Sequence, residues 1–397
     1  MTEDKAARAG ARTAGEKTER NVVVEGPGHV AVREEPRTPV QAGAFRVTTL
    51  FSGVSAGTEL SYIKGTNLFL SERWDAGLGL FMPGKPNAGY PVTRLGYMEV
   101  GTVTESRTPM IPVGGTVAMA YGHRTGYIGN PLTDRVVPLP GDLDPLLGIY
   151  VAHMGPICAN GLLHAAADVC GADVRSLGDG VRGRRVVVIG AGVVALLTAL
   201  LARRHGAASV VVLDPTPHRR AVADALGLES LDPQGPEDVA ATLKTRWRHA
   251  RGDRGADVVF QCRGHAAALH LALRVARPQA TVIDLAFYQE GAAELRLGAE
   301  FHHNGLAVRC AQIGRVPRGV AHTWDRERLS ADTIDLLRAD GTAIREHLVT
   351  AVVPFEDAPE LFADLAARRR QELQAVLTFD HSTAEPRPAA AVKRELG

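Results

Sequence analysis

Arg185-Val-Val-Val-Ile-Gly-Ala-Gly-Val-Val-Ala195 is the stretch on which the reading of this chain turns. Val186 to Ile189 form a short apolar run, as expected of a parallel strand buried on both faces. A tight turn follows, then an apolar helix from Val193 to Leu201. Gly190 permits the turn, Gly192 lets the backbone approach a pyrophosphate, and Ala195 is small enough for close helix–strand packing. The free N–H groups of the first helical residues, Val193 and Val194, together with the helix dipole, suit phosphate. A second strand, Ser209 to Leu213, ends at Asp214, 24 residues after Gly190. That is close to the spacing at which an acidic residue meets the ribose hydroxyls. Strand, turn, helix, strand and acid in this order predict a Rossmann dinucleotide-binding unit.

The bulk properties bound the rest. At 397 residues, two domains with separate cores are expected. A formal net charge of +1 provides no global field to recruit nucleic acid or an acidic membrane. The 45% hydrophobic content is that of a soluble globular protein, and no apolar run is long enough to span a bilayer. The first residues contain no apolar signal core, and Cys158, Cys170, Cys262 and Cys310 are scattered without a CxxC pair. The expected setting is a reducing cytoplasm.

Residues 1–20 and 381–397 are charged, small and non-periodic, and read as disordered tails. From Asn21 to about Asp144, short β-type runs alternate with Gly and Pro, which suggests a small, mostly antiparallel β domain. Beyond Val151, helical patterns alternate with strands at Val186–Ile189, Val210–Leu213, Ala256–Phe260, Ala280–Leu285 and Ala307–Cys310. Such alternation predicts an α/β, doubly wound parallel sheet. Leu348 to Pro354 and Ala375 to Phe379 again resemble strands, so the chain is expected to return to its first domain.

This order of parts resembles the medium-chain dehydrogenase/reductase superfamily. The carriers are Gly53-Val-Ser-Ala-Gly-Thr-Glu59, Gly96-Tyr-Met-Glu-Val-Gly-Thr-Val103, Gly190–Ala195, Gly255-Ala-Asp-Val-Val-Phe-Gln-Cys262 and Pro354-Phe-Glu-Asp-Ala358. The resemblance implies a GroES-like catalytic domain (21–152 with 315–380), a Rossmann domain (153–314) and a homodimer. It also exposes departures. Zinc alcohol dehydrogenases of the superfamily carry a cysteine where Ser55 stands and a Gly-His-Glu where Gly96-Tyr97-Met98 stands. Gly155 falls at a further, acidic position, and the cysteine-rich structural lobe is missing. Zinc needs thiolate, imidazole or carboxylate ligands converging on one point, so no metal is expected. The loop around Ser55 looks like zinc-free relatives such as bacteriochlorophyllide-type, cyclitol and sugar dehydrogenases.

Without a Lewis acid, side chains must manage the proton of a hydride transfer. The catalytic candidates are Tyr97, at the histidine-ligand position, with Glu59, Thr58, Ser55, Lys64 and His153. Tyr62, Trp74, Glu99, His123 and Asn160 are candidate substrate contacts. Each has an ordinary structural alternative: a core tyrosine, a structural ion pair, a turn cap, a solvated lysine or a satisfied histidine. By resemblance, Cys262, Leu285 and Phe287 border the coenzyme. Asp214 argues for NAD because its carboxylate repels a 2′-phosphate, whereas Arg219 and Arg220 offer the NADP alternative. Trp74 lies in a long segment, 66–90, of the kind that serves as a lid or specificity element. His302 and His303, expected beside the last strand, point to different faces and suit structural roles. The leading expectation is a zinc-free, NAD-dependent dehydrogenase of a secondary alcohol, such as a cyclitol or sugar. A quinone or enoyl reductase and a non-catalytic dinucleotide-binding protein are the alternatives.

Overall fold

The computed structural model describes residues 18–289 and 291–379. The tails expected at the termini lie mostly outside these residues; a strand already begins at Thr18, inside the expected N-terminal tail.

Six parallel strands form one sheet: β1 (Arg185–Ile189), β2 (Ser209–Leu213), β3 (Glu229–Leu231), β4 (Val258–Gln261), β5 (Thr281–Asp284) and β6 (Ala307–Cys310). Their order across the sheet is β3-β2-β1-β4-β5-β6. The direction of travel reverses at β1, so a crevice opens beyond the carboxyl ends of β1 and β4. Val186 to Ile189 of β1 are buried because alternate side chains feed two cores. Val186 and Val188 pack with Leu196 and Leu200 of α3 (Val193–Arg204) and Leu162 of α2 (Met154–Cys170). Val187 and Ile189 pack on the other face with Leu243, Ala272 and Leu273. Period-two burial on both faces is what an unbroken Val/Ile run produces in a covered sheet.

The second sheet has seven strands. Phe45–Gly53 lies at its centre, paired antiparallel with Glu99–Ser106, Gly126–Gly129 and Gln374–Thr378. Val349–Pro354 extends the sheet by parallel pairing with Gln374–Thr378. The molecule is therefore α/β, a GroES-like β-rich sheet beside a doubly wound parallel sheet. Val239–Arg246 is helical, and Arg248–Ala250 turns into a short strand after Trp247. One expectation is corrected. His302 and His303 lie in a helical turn, with rings 5.4 Å apart in an edge-on arrangement.

Candidate active site

The glycine turn forms as its residue types demand. Gly190 has φ +101°, a left-handed value that only glycine adopts without strain. Its N–H donates to the Leu213 carbonyl at 2.7 Å, which ties the turn to β2. Gly192 is the N-cap of α3, and a β-carbon added there would meet nothing within 4 Å. The backbone donors of Val193 and Val194 therefore begin a helix beside open space, which fits a pyrophosphate. Asp214, 2% exposed, accepts the Ala191 N–H and the Thr216 N–H, each at 2.8 Å. One lone pair on each carboxylate oxygen remains for ribose hydroxyls. Arg220 is engaged with the Asp214 carbonyl at 2.8 Å and Asp232 at 3.2 Å. Arg219 has no side-chain hydrogen bond or ion pair among the described residues. Cys262 follows β4 with its N–H on the Ile189 carbonyl, beside the turn. Burial raises its thiol pKa well above the ordinary range. Leu285 packs against the main core, while Phe287 is 49% exposed.

The catalytic candidates separate into two groups. Ser55 is the N-cap of α1 (Ala56–Ile63), and its hydroxyl meets the Tyr97 hydroxyl in a short hydrogen bond. Thr58, one turn along, also bonds the Tyr97 phenol. The Tyr97 ring lies edge-on to the His153 imidazole, with centroids 4.6 Å apart. Burial raises the Tyr97 pKa, against the pull of the Ser55 and Thr58 hydrogen bonds, so the phenol keeps its proton. His153 precedes α2, and Arg326 donates to its Nδ1 at 2.9 Å. Burial, then the charges of Arg326 and Arg135, push the His153 pKa down to about 4. The imidazole is neutral, and with Nδ1 accepting, the proton sits on Nε2. Gln289 donates to the Gly57 carbonyl at 3.2 Å and accepts from Thr66 at 2.7 Å. The loop leaving β5 is thereby fastened to α1, the helix that Ser55 caps.

Glu59, His123 and Glu99 form the second group, behind the first. Glu59 is 1% exposed; it accepts the Ser55 N–H at 2.9 Å and meets His123 Nε2 at 3.0 Å. His123 Nδ1 contacts the Ser52 hydroxyl at 2.6 Å, and that hydroxyl donates to Glu99 at 3.0 Å. Glu99 also accepts the Tyr121 N–H at 2.6 Å. Burial opposes charge on His123, but the Glu59 and Glu99 carboxylates outweigh it and raise its pKa. Burial likewise raises the Glu99 pKa. Glu59 is thus a buried support for the Ser55 turn rather than an exposed base, and neither His123 nor Glu99 reaches solvent.

Other candidates sit elsewhere. Lys64 is exposed at the C-cap of α1, the end opposite Ser55, without a side-chain hydrogen bond or ion pair among the described residues. Tyr62 packs against the core of the β-rich part. Trp74 lies in a two-stranded ribbon, Arg73–Asp75 with Leu80–Met82, and packs on Phe81 at 4.9 Å. Asn160 is wholly buried and donates to the carbonyls of Ala311, Gln312 and Arg315 at 3.2 to 3.4 Å, which fastens α2 to the segment after β6. The sequence reading missed Ser52, Arg135 and Arg326. Arg326 lies 173 residues from His153, and no local pattern announces that contact.

The group at Tyr97 does not suit zinc. It presents two aliphatic hydroxyls, a protonated phenol and one imidazole whose Nδ1 is already engaged. At Gly155 a β-carbon would stand 2.1 Å from the Thr333 side chain, so an acidic ligand has no room there. Among the described residues, no group of three or more His, Cys, Asp or Glu converges to hold a metal ion.

A family model described as zinc-binding dehydrogenase matches residues 193–325, a span that excludes Ser55, Tyr97 and His153. The D-guloside 3-dehydrogenase of Shigella flexneri is 27% identical over 375 residues, covering 91% of this chain and all of the relative. The 2R,3R-butanediol dehydrogenase of Bacillus subtilis superposes with a TM-score of 0.68 at 17% identity, covering 91% of this chain and 99% of its own. A dehydrogenase from Sinorhizobium meliloti 1021, assigned as zinc-binding and bound to NADP, superposes with a TM-score of 0.67 at 20% identity, over 91% of this chain and all of its own. Fold, glycine turn and these likenesses make the chain similar to the dehydrogenases of the medium-chain dehydrogenase/reductase superfamily. It is an oxidoreductase.

Proposed function

We propose that the protein is a zinc-independent, NAD-dependent dehydrogenase that interconverts a secondary alcohol and its ketone on a polyhydroxylated substrate, a sugar or cyclitol. The observation that carries this reading is the Ser55–Thr58–Tyr97–His153 group, which offers hydroxyl, phenol and imidazole donors where zinc ligands would otherwise stand. The polyol relatives support the substrate class, D-guloside 3-dehydrogenase being alike along its whole length.

The nicotinamide coenzyme, when bound, supplies or accepts the hydride. The turn at Gly190 and Gly192 with the start of α3 would hold its pyrophosphate, and Asp214 its ribose. Tyr97 donates a hydrogen bond to the substrate oxygen and provides the proton when a ketone is reduced; its raised pKa keeps that proton in place at neutral pH. Ser55 and Thr58 orient the phenol and relay a proton back to it after reduction, or away from it when an alcohol is oxidised. His153, neutral and protonated on Nε2, is a second donor to the same oxygen. The Glu59–His123 pair holds the Ser55 turn in register from behind.

The Asp214 carboxylate beside the glycine turn favours NAD; Arg219 is the group that would receive a 2′-phosphate. A cytoplasmic homodimer is part of the same reading. β6 is the edge strand of its sheet, with Val308 41% exposed, and is suited to pair across a two-fold axis. Among the described residues no helix is long and apolar enough to cross a membrane.

The test is a panel of polyols, cyclitols, their ketones and enones, followed at the nicotinamide absorbance with NADH and NADPH, on protein assayed for metal. Turnover of CH–OH substrates with NAD and without bound zinc is expected. Stoichiometric zinc at the site, or reduction of enones alone, would overturn the reading.

A further inference from the structure

A cavity of about 510 Å³ opens between the segment after β6 and the start of the helix Arg326–Ala343, whose first residue contacts His153. Arg315, Arg318 and Arg326 line it, with Trp324, Asp325 and Glu327. The two acids are already engaged. Asp325 is the helix N-cap and accepts the Arg328 N–H at 2.8 Å, and Glu327 pairs with Arg135 at 3.0 Å. The three arginines are not neutralised in this way. Arg315 and Arg318 are exposed and have no side-chain hydrogen bond or ion pair among the described residues. Arg326 spends one N–H on His153, while its Nε is buried with no partner. A buried donor without an acceptor is costly unless a ligand supplies one. The positive end of an 18-residue helix faces the same space.

We propose that this cavity is a subsite for an anionic group of the substrate, a carboxylate or a phosphate, held at a distance from the carbon that reacts at Tyr97. The inference rests on the dehydrogenase reading above and deepens it: the substrate is a charged polyol derivative rather than a neutral one. One imidazole separates the two places. His153 touches the Tyr97 ring on one side and the Arg326 guanidinium on the other. A substrate can therefore present its carbinol to Tyr97 and its charge to the arginines. Planar guanidinium forks match carboxylate and phosphate oxygens, and such charge-assisted bonds are the strong ones. Arg326 is a positioning residue in this scheme, because it also fixes the tautomer of His153.

The experiment is calorimetric titration of the full-length protein, with and without saturating NADH, using D-gluconate, D-glucitol 6-phosphate and neutral D-glucitol, paired with a turnover assay of the same compounds. At least one anion is expected to bind ten or more times more tightly than D-glucitol; which one identifies carboxylate or phosphate. R315Q and R318Q are each expected to cut that preference about tenfold, with the melting temperature unchanged. Three results would overturn the proposal: equal binding of charged and neutral compounds, a preference unmoved in both variants, or anion binding abolished by NADH, which would assign the arginines to the coenzyme. Turnover of neutral polyols with no anion preference would sink the subsite alone. Anion binding without turnover of any alcohol would sink the dehydrogenase reading, and the substrate role with it.

Discussion

Tyr97 concentrates the chemistry at the scale of single residues. Its hydroxyl is bonded by Ser55 and Thr58, and the neutral His153 ring lies against it. Y97F keeps the ring and removes the proton. A fall in kcat of about 10²- to 10⁴-fold is expected, the usual worth of a positioned acid. NADH affinity should stay unchanged, since the glycine turn is built from other residues; stopped-flow turnover and coenzyme titration check both. The Glu59–His123 pair predicts a different loss. H123A leaves the buried Glu59 carboxylate without its partner, and breaking a buried pair typically costs about 3–5 kcal/mol. Urea unfolding should show that destabilisation. An E59Q variant, which keeps the shape and one acceptor, should lose less.

Among the elements, the helix Arg326–Ala343 ties the site together. Its first residue contacts His153, Thr333 covers Gly155, and Ser330 donates to the Val151 carbonyl at 2.6 Å. Its N-terminus depends on Asp325, whose carboxylate accepts the Arg328 N–H. D325A is expected to cost about 1 kcal/mol by denaturant melting, the ordinary value of a lost N-cap. The edge strand β6 carries its own expectation. If it pairs across a dimer, V308K should shift sedimentation toward monomer while leaving the helical circular-dichroism signal intact.

For the whole molecule, buried histidines set a response to acid. Burial, helped by neighbouring arginines, pushes both His153 and His164 down to about 4. In the unfolded chain each titrates near 6.5. Between these values the unfolded state binds more protons, so stability is full above about pH 6.5 and falls as pH drops toward 4. H153Q and H164Q should each flatten that slope in melting curves taken across the window. His123 has a raised pKa and works in the opposite sense; its contribution is present at low pH and is lost as pH rises through its folded value. Coenzyme binding adds a second global readout. NADH at about 100 times its Kd should stabilise the folded state by about 2.7 kcal/mol, visible as a higher Tm.

Local signals in the sequence were enough for the parallel sheet and its glycine turn. An apolar run followed by Gly190 and Gly192 has few other conformations open to it, and Asp214 lies at the end of the next strand because βα units have a nearly constant length. The grouping of Ser55, Thr58, Tyr97 and His153 came from resemblance, and the packing then supplied its geometry. Lys64 and Asn160 were chosen for their chemistry, but a helix end turned one to solvent and three backbone carbonyls claimed the other. Only the tertiary structure showed that Glu59 meets His123 in the buried interior, or that Arg326, which contacts His153, lines a cavity with two further arginines. Periodicity and turn chemistry act between near neighbours in the chain. Charge pairing arises between segments far apart in the chain, 64 residues for Glu59 with His123 and 173 for Arg326 with His153, and its energy is set by burial, which exists only once the chain has folded.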